Sequence, residues 1–524
     1  MAPYLPQEII FLIAQHLIGE DDQRLTPYTL VNKSWQAAFE RQIYASIVVL
    51  SPSDVTTLTI EPPEREEDRH VDRLEKRGLS FARLAEITTG PQHWRQARRT
   101  YVQRILYRVA VPYWIDPIRY GGAHGINWDS AWRRENNRVF TEGISALFDY
   151  LSTWTDQDIA LDIALQGEMA YVNDCDIDDP NCPDHCGRHE PESMRVETEF
   201  DTLVPPYCAE LLPDTHLPKA KSVTSLRFPR IYLPGMTPGP GVDDDDCRNN
   251  LENGVLLPTV IQIASACGAL RRIKLDGEYG VQYASHVLRM QVRDRTAVAL
   301  TQLPLSIQHV EFVGDWPWHS YGCDGPLHEP TFHMLDTLCI AFRDISTRLT
   351  SLHIKDEAIF AELFCVDGTP GLMSDEMYWP YLETLHLECA WKLQDFFEDM
   401  QRYADGDGRD DSVVSIRYIE DLIESLGSAV QRMPRLKSAR LESHFLDSYQ
   451  PHGLDFCFRN DGGCRLSLSM YEDAVYEPSM RVLEAWKIDR QDLQSRTGVV
   501  PEGIDGKGNE RKYWETTYAS WPPL

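Results

Sequence analysis

The sequence predicts an α/β chain in two parts: a short all-helical module at the N-terminus, then a long run of parallel strands alternating with helices. Three observations predict it. The first fifty residues hold helix starts and apolar stripes at helical spacing. A short strand of the form L-x-x-L-x-L recurs along the rest of the chain. Helical stretches precede several of those strands with short links. A chain that alternates this way must bring each strand round in the same direction, so the strands are parallel.

The bulk numbers leave room for this arrangement. The chain has 524 residues, 42% hydrophobic and 25% charged, enough for more than one domain or one long repeat array. The net charge is −30, from 81 acidic and 51 basic residues. Such a balance opposes nucleic-acid phosphates and anionic membranes, so neither is expected as a partner. One local exception holds Arg95, Arg98, Arg99, Arg104 and Arg108 with no acid among them. The simplest reading is a basic helix face docked on an acidic body, rather than a phosphate or acidic-peptide site. The apolar stretch 9–18 has no basic residue before it, is interrupted by Gln15 and His16, and is too short to span a bilayer. The chain therefore reads as intracellular, cytoplasmic and/or nuclear. In such a reducing compartment most of its 12 cysteines are expected to be free thiols.

The N-terminal module begins with a helix over LPQEIIFLIAQHL (5–17). Pro6 suits the first helical position, and Glu8 complements the helix dipole. On a helical wheel Ile9, Ile10, Phe11, Ile13, Ala14, Leu17 and Ile18 fill an arc of roughly 200°, about twice what a surface helix needs to face its own core. Leu12 lies outside even that arc. A module this small cannot hide all of that surface, so some of it should meet another chain. After a polar turn, Thr26 and Pro27 start a short second helix. A third follows near Asn32 to Gln42, with Trp35, Ala38 and Phe39 on one stripe, and it leads into a strand-like SIVVL (46–50).

These residues carry a resemblance. The order L-P-x-E-I-I-x-x-I-x-x-H-L, an acidic turn, a Leu, then L-V-x-K-S-W and a terminal I-Y resembles the F-box, in the form it takes in fungal proteins. The matching residues are Leu5, Pro6, Glu8, Ile9, Ile10, Ile13, Leu17, Leu30, Val31, Lys33, Trp35 and Tyr44. The match lies within residues 1–50, under a tenth of the chain. Asn32 departs from it, standing where the family often has Cys. The resemblance implies a three-helix module that binds a Skp-type adaptor, which in turn bridges to a cullin. Carried over position by position, it implies an adaptor-binding set of Leu5, Pro6, Ile9, Ile10, Ile13, Leu17, Leu30, Val31 and Trp35.

Beyond the module, EPPEREEDRH (61–70) reads as a charged linker, and residues 51–100 as linker and lead-in helices. The clearest strands are ALRRIKL (269–275), SIQHVEF (306–312), RLTSLHI (348–354), YLETLHL (381–387) and RLKSARL (435–441). Weaker copies are RILYRVAV (104–111), DIALDIAL (158–165) and SVTSLRF (222–228), and 453–459 and 464–470 add terminal strands. Helices are expected over 145–154, 256–267, 332–345 and 416–433. Repeats that cannot bury their own faces must stack. The pattern over 101–495 resembles an irregular leucine-rich-repeat solenoid with long loop insertions, a common partner domain for F-boxes. It departs from that family where an Asn is expected three residues after the last Leu. Glu278, Asp315, Glu357, Ala390 and His444 stand there instead, which predicts distorted curvature. The alternative is an open α/β domain with a mostly parallel sheet. The tail, 496–524, holds Trp514 and Trp521 and reads as a cap.

Other constellations hold residue types that can carry chemistry. Cys175, Cys182, His185, Cys186 and His189 come nearest to a zinc set, but no second pair with standard spacing follows. Asp174, Asp176 and Asp178 have a calcium-loop rhythm, yet Asp179 replaces the turn Gly and His185 the closing Glu. His319, His328 and His333 lie among Trp316, Trp318 and Tyr321 and read as loop packing. Nucleotide-binding and hydrolase motifs are missing. The expectation is a non-catalytic chain with no metal, no cofactor and no catalytic residue. It would be the substrate-recognition subunit of a Skp–cullin–F-box ubiquitin ligase, holding a protein target of unknown identity on the repeats. The alternative is a scaffold that binds the adaptor without promoting ubiquitylation.

Overall fold

The computed structural model describes residues 5–18, 26–52, 78–111, 131–155, 157–167, 208–228, 254–276, 286–314, 336–357, 359–365, 377–389, 412–447, 450–460, 464–470, 478–488, 490, 494–499 and 510–517. The chain is mixed α/β with parallel-strand sheets and divides into two compact units, Met1–Arg271 and Arg272–Leu524.

The first unit opens with α1 (Gln7–Ile18). Pro6 lies one residue before it, and its carbonyl accepts from the amides of Ile9 (3.1 Å) and Ile10 (3.3 Å). Pro6 is thus at the cap, not the first helical position. A 3₁₀ turn spans Thr26–Leu30. Helix α2 (Lys33–Ala45) starts at Asn32, whose side-chain oxygen accepts from the amides of Ser34 (2.9 Å) and Trp35 (3.1 Å). An Asn at this position supplies the cap that two otherwise unpaired amides require.

Helix α2 runs directly into β1 (Ser46–Leu50). Then come β2 (Leu79–Ser80), α3 (Phe81–Thr88), α4 (His93–Tyr101) and β3 (Arg104–Val111). Next are α5 (Ala131–Ser152), β4 (Ile159–Gly167), β5 (Cys208–Ala209), β6 (Val223–Arg227), β7 (Gly254–Val255) and α6 (Leu257–Ser265). The main sheet has the order β2-β1-β3-β4-β6, all parallel. Strand β3 alternates, burying Ile105, Tyr107, Val109 and Val111. Helix α5 closes over it: the Tyr107 hydroxyl donates to the Gly143 carbonyl at 2.7 Å, and a Cβ on Gly143 would lie 3.3 Å from Val109.

β1 pairs along its whole length with β3, from Ser46↔Arg104 to Leu50↔Arg108, so the helical module is fused to the sheet through its own last strand. Four arginines of the basic run have partners within this unit. Arg98 pairs with Glu40 on α2, Arg104 with the buried Asp162, and Arg95 and Arg99 donate to the carbonyls of Thr89 and Thr153. These contacts match the docked-helix reading.

The second unit contains β8 (Arg272–Asp276), α7 (His286–Leu300), β9 (His309–Val313), α8 (Thr337–Ser346), β10 (Ser351–Glu357) and β11 (Thr384–Cys389). It continues with α9 (Ser412–Val430), β12 (Ser438–Asp447), β13 (Gln450–Asn460), β14 (Cys464–Met470), α10 (Met480–Ala485), β15 (Gln494–Val499) and β16 (Glu510–Thr517). Strands β8 to β12 are parallel and lie side by side in chain order. The recurring leucines line up in register. Two apolar rows cross all five strands: Ile273, Val310, Leu352, Leu385 and Ala439, then Leu275, Phe312, Ile354, Leu387 and Leu441. All ten are buried. Period-two alternation sends the intervening residues to the opposite face.

From β12 onward the pairing becomes antiparallel, in the order β12-β13-β14-β16-β15. The links after β12 and β13 are too short for a crossover, so those strands must turn back. Residues 510–517 of the tail are a strand of this sheet, paired with β14 and β15. At the expected Asn positions only Glu357 has a described side chain. A register shift between Ile354 and Glu357 turns Glu357 inward. There it meets Arg293, which also holds Asp336, the cap of α8, through two hydrogen bonds of 3.1 Å.

The linker at 61–70, the Cys/His loop at 173–190, the Gly/Pro/Asp loop at 234–250, the residues from Trp316 to His333, and Trp521 lie outside the described residues. Among the described residues no helix is long and apolar enough to cross a membrane. Cys208, Cys267, Cys339 and Cys365 are buried, and burial pushes the Cys365 thiol up to about 11.

Candidate functional site

The N-terminal module separates its apolar residues into two groups. Its core consists of Ile10, Ala14, Ala38 and Phe39, with Phe11, Ile13, Leu17, Tyr28, Trp35 and Ile43 packed partly against it. Tyr28, Trp35 and Phe39 stack, with Phe39 5.0 Å from Tyr28 and 5.5 Å from Trp35. The second group faces outward. On α1 Ile9 is 41% exposed and Leu12 59%, with Leu5 and Pro6 exposed ahead of the helix. After the 3₁₀ turn Leu30 is 85% exposed and Val31 58%.

Of the nine residues expected to bind an adaptor, Leu5, Pro6, Ile9, Leu30 and Val31 are therefore open to a partner. Ile13, Leu17 and Trp35 are half-buried and hold the module together while leaving an edge free. Ile10, at 2% exposure, lies in the module's core. The helix turns by 100° per residue, and the step from Ile9 to Ile10 crosses from the exposed side to the core. Leu12, left out of the set, belongs with the exposed group, since its place outside the main apolar arc already set it apart from the core.

The module's orientation is fixed from below. Arg98 on α4 grips Glu40 on α2 at 2.5 Å, with both side chains mostly buried, and Gln36 adds a hydrogen bond of 3.0 Å to the same carboxylate. Burial alone would raise the Glu40 pKa. The hydrogen bonds from Arg98 and Gln36, with the Arg98 charge, outweigh it and hold the carboxyl below its ordinary value.

The second unit holds a cluster that the sequence reading missed. On the face opposite the apolar rows, Lys274, Glu311, His353, His386 and Arg440 form one row across β8 to β12. The imidazoles of His353 and His386 stack at 4.2 Å. Glu388, two residues along β11, lies 3.0 Å from His353 Nε2 and 3.6 Å from His386 Nε2, and Glu442 lies 3.1 Å from His386 Nε2. Lys355 and Arg440 flank the two carboxylates. Burial raises the Glu388 pKa, but the hydrogen bond from His353 and the charges around it lower it further, so it stays ionised at neutral pH. The signal was in the sequence: SLHI (351–354) and TLHL (384–387) carry His at the same repeat position.

No protein-family model matches the chain, and no curated protein matches it.

Proposed function

We propose that the N-terminal helices are an F-box and that the chain is a non-catalytic substrate receptor of a Skp–cullin–F-box ubiquitin ligase. Leu5, Pro6, Ile9, Leu12, Leu30 and Val31 anchor the Skp-type adaptor. The strand–helix region is an irregular leucine-rich-repeat-like solenoid that presents a protein target. The observation that carries this reading is the exposure of Ile9, Leu12, Leu30 and Val31 beside a core that Ile10, Ala14, Ala38 and Phe39 already complete. Burying an exposed Leu or Ile contributes roughly 1.5–3 kcal/mol, so a few such anchors supply most of an affinity. The monotone order of parallel strands β8 to β12 supports the repeat reading, because stacked repeats place each strand beside the one before. The mechanism is proximity: the receptor raises the local concentration of target lysines and makes no bond itself. Fusion of α2 to β1, with the Arg98–Glu40 pair beneath, gives the adaptor-binding face a fixed direction on its own unit.

The test is co-purification of the adaptor with the full chain. Leu5→Ala combined with Pro6→Ala should abolish it while the second unit stays folded by limited proteolysis, and Leu30→Asp alone should do the same. Unchanged co-purification in both variants overturns the assignment. Ubiquitylation of a captured target, reconstituted with the cullin, separates a degradative receptor from a scaffold.

A further inference from the structure

We propose that His353, His386 and Glu388, with Glu442 beside them, form a divalent zinc site on the polar face of the second unit's sheet. The ligand atoms come from three neighbouring parallel strands in register: His353 on β10, His386 and Glu388 on β11, Glu442 on β12. The donor atoms of His353, His386 and Glu388 all lie within 4.8 Å of one another. With zinc bonds of 2.0–2.1 Å, ligand atoms of a tetrahedral site sit about 3.3 Å apart. The separations here are 3.0 Å (His353 Nε2 to Glu388 Oε1), 3.6 Å (His386 Nε2 to Glu388 Oε1) and 3.1 Å (His386 Nε2 to Glu442 Oε1). The carboxylate oxygen of Glu388 thus stands between two imidazole nitrogens, as one ligand of a shared metal does.

The donor set selects the metal class. Two imidazoles with carboxylates suit zinc and its transition-metal neighbours, whereas magnesium and calcium favour all-oxygen sites. Both rings are half-exposed, so an ion reaches them from solvent. Binding has two costs. The rings lie within 7° of parallel, so their in-plane lone pairs must turn toward one another out of the stack. Lys355 and Arg440 already attend the carboxylates and must move aside. Both adjustments are made by side chains on an open sheet face, with no change to the buried rows behind. The bound ion would tie β10, β11 and β12 together. This site is independent of the adaptor-binding reading, and neither failure bears on the other.

The experiment uses the full chain carrying Cys182→Ser and Cys186→Ser, stripped with chelator and titrated with Co²⁺ and then Zn²⁺. The expected result is a tetrahedral cobalt spectrum with no thiolate-to-cobalt charge-transfer band, displaced by zinc, and X-ray absorption of the zinc form showing imidazole and oxygen scattering without sulfur. Adding His353→Gln or His386→Gln should weaken binding at least tenfold with unchanged circular dichroism, and Glu442→Gln about tenfold. Failure of the Cys-substituted chain to take up either ion, or a titration unaltered by both His substitutions, overturns the proposal and leaves a hydrogen-bonded His–Glu ladder only. The X-ray measurement needs no His variant, so a sulfur shell around the zinc overturns the proposal even if those variants misfold.

Discussion

Helix α1 and the five-stranded parallel ladder β8–β12 are built from the same aliphatic residues, yet they use them in opposite ways. In the ladder every leucine-type position of two rows is buried, and the polar residues take the other face. In α1 the core takes Ile10 and Ala14, while Ile9 and Leu12 stay exposed. The ladder can bury both rows because each strand lays its apolar residues beside the next strand's. Among the described residues α1 packs on α2 and one short turn, and Ala38 and Phe39 complete a core on one side of it. Apolar surface beyond what the local fold can cover is what distinguishes a docking element from a core element.

Two substitutions sharpen the contrast most. Ile10→Asp places a carboxylate in the module's small core and should cost about 4 kcal/mol, enough to unfold the helices. Ile9→Asp, one residue away, should change stability by under about 0.5 kcal/mol. Thermal or urea denaturation followed by far-UV circular dichroism would show the difference, and equal effects would erase the division into two faces. The second unit gives a counterpart. Gly427 on α9 sits against Trp486, which follows α10 and donates its indole N–H to the Ile423 carbonyl at 2.8 Å. A Cβ at 427 would lie 2.5 Å from the indole ring. Gly427→Ala should therefore destabilise that unit by about 3 kcal/mol, although alanine normally favours a helix. A stabilised variant by the same denaturation assay would show that the contact yields.

The sequence made the ladder legible because its signal is local. SIQHVEF, RLTSLHI, YLETLHL and RLKSARL each carry the period-two pattern that a half-buried strand requires. β15 (QSRTGV) and β16 (ERKYWETT) carry no such pattern, so only pairing with neighbours from distant parts of the chain makes them strands. Helix α7 escaped notice because its charges and aliphatics are interleaved without a clean stripe. At the candidate site the sequence marked α1 as too apolar, but not which side its partner helix covers. The wheel alone therefore places Ile10 in the adaptor-binding set and leaves Leu12 outside it. The His353–His386 pair was readable in principle. It needed the strand register, which turns a shared repeat position into spatial contact.

A smaller effect tests whether the module is held rigidly or merely adjacent to its sheet. Glu40 and Arg98 are the ionic link between α2 and α4, and Arg98→Ala removes two hydrogen bonds to a mostly buried carboxylate. The expected loss at pH 7 is about 2 kcal/mol. Its pH dependence follows from the lowered Glu40 pKa. A carboxyl whose folded value lies below its unfolded value of 4.5 contributes stability that is present above pH 4.5 and lost as pH falls through the folded value. Without Arg98, burial pushes the same group upward, so the variant gains relative stability on protonation. The gap between wild type and Arg98→Ala should therefore be widest near neutrality and narrow as pH falls from 5 toward 3. A gap that stays constant over that range would mean that Arg98 acts by packing against Trp94 and Tyr44, whose rings its guanidinium also covers, and not through the carboxylate.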